Sequence, residues 1–304
     1  MSTNVCRQEN AGSALLLVIW AVFLLLVAGM GASFMVLNSL ENSTEDTRVQ
    51  EALVLAESAL ALAFHPDIRK ADPLLSRSVG EQGWEVEIFS EASRIPLNAV
   101  LMREDRVLLE RLFALWGVPK SESDRVIDCL LDWVDEDDLP RLQGAERDEY
   151  VREGRTIMPR NRRFTSPEQI PHVLNIEIID GYQPNWMEAF SIYHTGGIDV
   201  RDASAELIAA ATDLPLEAVQ RFVRQREEGD WLFETSQQEG VDPIQLLARY
   251  VGRLDLNTEY LASNSGLRRA MIRAWSGSVE VRLEAVKELG SDRFYYYNQT
   301  WDLQ

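Results

Sequence analysis

The chain has 304 residues, 49 Asp+Glu against 30 Lys+Arg, a formal net charge of -19, 46% hydrophobic residues and two cysteines. The hydrophobic fraction is that of a globular protein with a real core and excludes a disordered or collagen-like chain. The negative charge excludes nucleic acid as a partner and favours cations or basic protein surfaces, while Cys6 and Cys129, with no CxxC or Cys/His spacing nearby, exclude a disulfide framework and a zinc site.

The first predicted element is an anchor. No charged residue occurs from 10 to 40, and residues 14–37 are nearly all apolar. At about 1.5 Å per residue this run makes a helix of roughly 36 Å, enough to cross a bilayer core of about 30 Å. A secretory signal has an apolar region of only about 7 to 15 residues, so an anchor is expected, although Gly29-Met30-Gly31 offers small residues to a signal peptidase. Arg7 before the run and the acidic flank after it put the N-terminus in the cytoplasm.

An amphipathic helix follows over 42–64. Val49, Ala52, Leu53, Ala56, Ala59, Leu60 and Ala63 recur at intervals of three and four, and His65-Pro66 stops the helix. The two segments together predict one spine of about fifty residues, and a membrane helix followed by a separate soluble helix fits the same periodicity.

Residues 83–90 alternate as a half-buried strand with Trp84, Val86 and Ile88 on one face. Partner strands are predicted only at the far end of the chain, at 254–261, 267–275, 279–286 and 293–297, separated by Asn-Ser-Gly and Ser-Gly-Ser turns. The sheet is therefore expected to be split in sequence around a helical insert. Within that insert 107–116 and 125–134 have helical periodicity, with Ser121 or Ser123 placed to cap the second helix. Ser166-Pro167 and Gln183-Pro184 each open a short helix, and two further helices, 203–212 and 215–226, are expected to pack on the sheet.

The candidate site chemistry lies in an acidic segment. Asp132, Asp135, Glu136, Asp137 and Asp138 are followed, after a turn over 140–144, by Glu146, Asp148 and Glu149. Hard oxygen ligands in this number suit calcium, which takes about six to eight of them, although Leu139 and Pro140 depart from an EF-hand loop. The other reading is a solvated acidic loop paired with Arg141, Arg147, Arg160, Arg162 and Arg163.

No catalytic residue is predicted. His65, His172 and His194 are far apart in sequence, HExxH, GxSxG, Walker and GxGxxG motifs are absent, and Glu227/Glu228 do not face one pocket. The 214–219 stretch lacks the glycine of a helix-hairpin-helix and reads as packing. The aromatic run 294–297 reads as an edge strand, and Cys129 as a small core residue.

Two sets of residues carry a family resemblance. The polar-to-apolar junction at Gly12 resembles the prepilin peptidase site of type IV pilins and type II secretion pseudopilins, which implies Gly12 as the last leader residue and Ser13 as the first mature one. The usual fifth mature residue is Glu, and here it is Leu17. In such filaments that carboxylate neutralises the buried α-amino group of the subunit already placed, because an unpaired charge among apolar helices costs several kcal/mol. A subunit with no predecessor has nothing to neutralise, so Leu17 suits a filament tip, and it suits a plain membrane anchor too.

The second set is more specific. Ile95-Pro96-Leu97-Asn98, Leu130-Leu131-Asp132-Trp133 with the acidic run, Gly144-Ala145-Glu146, Asn161-Arg162-Arg163-Phe164 and Ile198-Asp199-Val200-Arg201-Asp202-Ala203 together resemble the K-type minor pseudopilins of type II secretion, from Gly12 to about Arg226. Arg201, Asp202 and Tyr182 depart from the usual residues.

The resemblance implies an α+β fold. Residues 1–12 would be a leader, 13–64 the transmembrane and spine helix, 65–95 and 198–304 a pilin-like head with an antiparallel sheet, and 96–197 an inserted all-α domain. It also implies calcium in the insert, on some of Asp135, Asp137, Asp138 and Glu146. Expected partners are the I-type and J-type minor pseudopilins through the spine, a prepilin peptidase and the inner membrane, with the head in the periplasm. Two alternatives stand beside it: a membrane-anchored periplasmic calcium-binding protein, and a minor pilin of a type IV pilus.

Overall fold

The computed structural model describes residues 11–70, 72–228, 242–253, 255–262 and 266–303, with the side chains of 11–18, 21, 27–29, 31–44 and 301–303 outside the description. The described residues open with α1 (Ala11–Ala63), followed by β1 (Ser76–Val79), β2 (Gln82–Ser90) and β3 (Ile95–Pro96). A helical stretch comes next: α2 (Leu97–Met102), α3 (Arg106–Leu115), α4 (Lys120–Val134), α5 (Arg147–Arg152) and α6 (Glu177–Asp180). After β4 (Phe190–Ser191) and β5 (Ile198–Asp199) come α7 (Ala205–Thr212), α8 (Leu216–Glu227) and α9 (Pro243–Val251). The chain ends with β6 (Leu261–Ala262), β7 (Leu267–Ser276), β8 (Val279–Glu288) and β9 (Phe294–Leu303).

The main sheet has the antiparallel order β1-β2-β7-β8-β9. Strands β2 and β7 are adjacent in space but separated by the whole helical stretch, as the split in the sequence signal requires. Gly277 turns β7 into β8 with φ +59°, a conformation that costs a residue with a side chain and comes freely to glycine.

One face of the sheet is covered by α1. Ala52, Ala56, Ala59 and Ala63 are fully buried, with Val49, Leu53 and Leu60 beside them, against Val86, Ile88, Ile272, Val281 and Leu283. The buried alanines repeat at intervals of four, three and four, so they form one stripe, and their small side chains let the helix lie close to the strands. The other end of the stripe is fixed by Arg268 of β7, whose Nη1 donates to Ala63 O (2.6 Å) and whose Nη2 donates to Ile68 O (3.0 Å). Helix-terminal carbonyls have no intrahelical donor, so the guanidinium satisfies them and places a positive charge at the negative helix end. Arg268→Ala should cost about 2 kcal/mol in urea denaturation of the full chain, from carbonyls left without a donor.

The helical stretch has a core of its own. It runs from Ile95 through Leu108, Leu112, Trp133 and Ile179 to Phe222, Leu247 and Leu261. This extends past the boundary at 197 expected from the sequence. Helices α7 and α8 are where expected, but α7 packs on α3 and α8 on α7 and α9, not on the main sheet. Periodicity shows that such helices bury one face, and it carries no information on which layer receives that face.

Three smaller expectations are corrected. Helix α4 begins at Lys120 behind Pro119, which makes no side-chain cap, and Ser123 is buried instead of capping. Among the described residues of the 254–261 stretch only Leu261 enters a strand, and β6 pairs in parallel with β5. The last strand is longer than expected and runs to Leu303. Leu214 and Val219 are buried, consistent with packing.

A candidate metal centre on the helical body

Helix α4 is the axis of the helical body, and every residue from Val126 to Val134 is buried. Two of them, Asp128 and Asp132, stand one turn apart and so share a face. That face holds the loop returning toward α5. Gln143 N–H donates to Asp128 Oδ2 (3.0 Å), and Arg141 N–H donates to Asp132 Oδ2 (3.1 Å). The Arg106 guanidinium completes Asp128, leaving it paired.

Asp132 is fully buried, and Arg141 Nη1 donates to its Oδ1 (2.7 Å) and also to Asp135 Oδ2. Helix α4 ends at Val134 with Asp135 as its C-cap, so both carboxylates sit at a helix C-terminus, where the dipole is already negative. Gly144-Ala145-Glu146 then brings in a third carboxylate. A Cβ on Gly144 would lie 1.8 Å from Asp132 Oδ2, so only glycine lets the loop pass this close.

Glu146 is buried at the N-cap of α5. Glu149 accepts from the Glu146 N–H (2.9 Å) as half of a capping box. The Glu146 carboxylate faces the third amide of the helix, but neither of its oxygens makes a hydrogen bond of full geometry, nor does Asp135 Oδ1. Burial, and then the charges of Asp132, Asp135, Asp138 and Asp137, push the Glu146 carboxyl up to about 8. Asp132 and Asp135 are also pushed up, chiefly by burial, against the opposing hydrogen bonds from Arg141.

Oxygens of Asp132, Asp135 and Glu146 all lie within 4.8 Å of one another. Three converging carboxylates, two of them at the negative end of α4 and with both Glu146 oxygens and Asp135 Oδ1 lacking a hydrogen bond of full geometry, fit a divalent cation of the calcium type. Of the residues expected from the sequence, Asp135 and Glu146 belong to this group. Asp137 and Asp138 do not: they are exposed, Asp137 Oδ1 accepts from Leu139 N–H (2.8 Å), and Asp138 Oδ1 accepts from Asn161 Nδ2 (2.9 Å). Asp132 takes their place in the cluster. Of the arginines expected to pair with the acidic loop, Arg141 does so.

The other motif residues have structural work around this centre. Trp133 is buried and stacks on Phe164 at 5.8 Å, and the Tyr150 hydroxyl accepts from Leu174 N–H (2.8 Å). Asn98 and Phe164 exchange two hydrogen bonds, Phe164 N–H to Asn98 Oδ1 (2.8 Å) and Asn98 Nδ2 to Phe164 O (2.9 Å). Asp199 is buried under the guanidinium of Arg201. Asp202 links the body to the head, accepting from Lys70 Nζ (2.9 Å) and from Ser90 N–H (2.8 Å).

A cleft of about 500 Å³ opens between the sheet and the helical body, lined by Trp116, Glu188, Asp202 and Arg269 among others, and no member of the acidic cluster lines it. Cys129 is buried, and burial pushes its thiol up to about 12. His194 is also buried, with its Nε2 at 3.1 Å from Arg94 O, and burial pushes it down to about 4.

The expected apolar span and the positions Gly12, Ser13 and Leu17 fall largely or wholly where side chains lie outside the description. Among the described residues no helix is long and apolar enough to cross a membrane.

Comparison with known proteins bears on the same region. Residues 93–192, from the end of β2 to β4, match the family model of the type II secretion system protein K. Protein K of the type II secretion system of Dickeya chrysanthemi is 29% identical over 86 residues, 28% of this chain. That alignment spans only 21% of the relative's own length. The fold is similar to that of a chain in the crystal structure of the GspK-GspI-GspJ complex from the enterotoxigenic Escherichia coli type 2 secretion system. The TM-score is 0.55 at 15% sequence identity, covering 88% of this chain and 98% of that one. The acidic cluster thus lies inside the segment, about a third of the chain, that is similar to the type II secretion system protein K, and the fold around it is similar to that of the chain in the complex.

Proposed function

We propose that this protein is a minor pseudopilin that starts and caps the pseudopilus of a type II secretion system, in support of protein export across the outer membrane. The observation that carries this reading is the placement of the matched segment. It starts just after β2 and lies wholly within the stretch between β2 and β7 of a sheet packed on a long helix, so a bulky body is mounted on a filament-type spine. Such a body leaves no room for a further subunit above it. The partners proposed are an I-type and a J-type minor pseudopilin, the companions named with protein K in the similar complex. The role is structural and no enzymatic activity is proposed.

In this reading the chain is a component of the cell envelope whose head faces the periplasm. Residues 14–37 hold it in the inner membrane until assembly, and Ile19, Phe23 and Leu25, all more than half exposed, present apolar surface for lipid or sister helices. Prepilin peptidase removes residues 1–12, and Ser13 becomes the new N-terminus and the position for methylation. Leu17 leaves that end without the carboxylate an incoming subunit needs, as suits the first subunit. Asp132, Asp135 and Glu146 hold calcium, which neutralises the cluster and fixes the end of α4 to the start of α5.

An intact-mass spectrum of the membrane-extracted protein tests the reading. Coexpression with a prepilin peptidase should remove residues 1–12, and its absence should leave them. An uncut chain under both conditions would leave a membrane-anchored calcium-binding protein. Copurification with the I-type and J-type subunits then tests the tip role separately.

A further inference from the structure

We infer that Arg141 is a built-in counter-ion of the acidic cluster, holding the cation position until a divalent metal displaces its side chain. The inference rests on the proposed metal centre and adds to it a residue that sets affinity. Arg141 Nη1 bridges Asp132 Oδ1 (2.7 Å) and Asp135 Oδ2, two of the carboxylates that converge with Glu146. A guanidinium is a flat fork of donors with a single charge. It reaches two of the three carboxylates and leaves both Glu146 oxygens and Asp135 Oδ1 without a hydrogen bond of full geometry. A calcium ion carries twice the charge and accepts about six to eight oxygens from all directions, so it satisfies atoms that the arginine cannot.

The displaced side chain has somewhere to go. Its Nη2 already donates to Glu104 Oε1 (3.2 Å) in the turn between α2 and α3. The Glu104 side chain is 68% exposed and that of Arg141 23%, so the guanidinium can leave the carboxylates for Glu104 and water with no backbone change. The loop itself stays, because the bond from Arg141 N–H to Asp132 Oδ2 (3.1 Å) does not involve the side chain. The metal-free site is therefore prefolded around its own cation, and a metal must compete with that cation.

The test is a calcium chloride titration of the detergent-solubilised full chain after chelator treatment, read by calorimetry and by thermal melting. Arg141→Gln removes the competing charge. It should melt lower than the wild type without metal and bind calcium roughly ten- to a hundredfold tighter at low salt. Arg141→Lys keeps the charge and should stay within a few-fold of the wild type. Glu104→Gln lies at the surface, leaves the fold intact and removes the second resting place, so it should weaken calcium binding severalfold. Asp132→Asn should lose binding in every background. Equal or weaker binding by Arg141→Gln would overturn the counter-ion role while leaving the metal centre standing. If Arg141→Gln does not fold without metal, an unchanged affinity in Glu104→Gln would overturn it. No heat and no melting shift in either the wild type or Arg141→Gln would remove the metal centre and the inference together.

Discussion

Gly144→Ala should destabilise the helical body by about 3–5 kcal/mol and abolish cation binding, although it adds a single methyl group. The added carbon would sit 1.8 Å from Asp132 Oδ2 and 2.7 Å from its Cγ. Asp132 cannot turn away cheaply. It is fully buried, and its oxygens are committed to Arg141 N–H and Arg141 Nη1. Moving it breaks both bonds and leaves a buried carboxylate without a partner, which is the costly way to disturb an ion pair. Moving the loop instead pulls Gln143 off Asp128 and Glu146 out of the cluster. Thermal melting checks the magnitude, with Gly196→Ala as control, since nothing lies within 4 Å of a Cβ there. The clash also predicts coupling. In an Asp132→Ala background the cost of Gly144→Ala should shrink, and full additivity would mean that the methyl acts elsewhere.

That pair of residues also shows what was legible in the sequence. The spine stripe, the split sheet and the helical character of the insert follow from periodicity, because each reflects a face that must be buried. The acidic segment was legible as a source of oxygen ligands, but its geometry was not. Asp137 and Asp138 lie in the same run as Asp135, yet they turn outward to Leu139 and Asn161. Asp132 lies among leucines and a tryptophan, and it is the residue that faces inward. One signal could have found it: aspartates at 128 and 132, four apart in an otherwise apolar helix, share a face that apolar packing cannot satisfy. The layer that receives α7 and α8 was not legible, because an apolar helix face, alanine-rich in α7 and built on Val219, Phe222 and Val223 in α8, fits a helix or a sheet equally well. The glycine of Gly144-Ala145-Glu146 was legible as a turn, whereas its reason is a carboxylate 12 positions earlier in the chain.

A second large effect is expected at the seam between head and body, where Glu91 follows β2 and is 1% exposed. Burial pushes its carboxyl up to about 7, opposed by the Ser191 hydroxyl and the charge of Arg269 and reinforced by Glu284. Arg269 is already held by Glu284, and neither Glu91 oxygen makes a hydrogen bond of full geometry. The sign follows from proton binding. Between about 4.5 and 7 the folded chain keeps a proton on Glu91 that the unfolded chain has released, so raising the pH favours unfolding. The stabilising contribution is complete below the ordinary carboxylate range and is lost by about pH 7, on the order of 3 kcal/mol in all. Glu91→Gln keeps the shape and removes the charge, so at pH 8 the variant should be more stable than the wild type by about that amount. Two other groups tilt the wild-type curve. Glu146 adds a loss in the same direction up to about pH 8 in metal-free protein. His194, pushed down to about 4, acts oppositely, because the unfolded chain binds its proton first and stability rises with pH through that range. Both are present in the variant, so the difference between the two urea-denaturation curves isolates Glu91. That difference should be near zero at pH 4, grow from pH 5 to 7 and level off above. A flat difference would mean that Glu91 is charged in the folded chain throughout, held by Arg269 more strongly than by Glu284's competing claim.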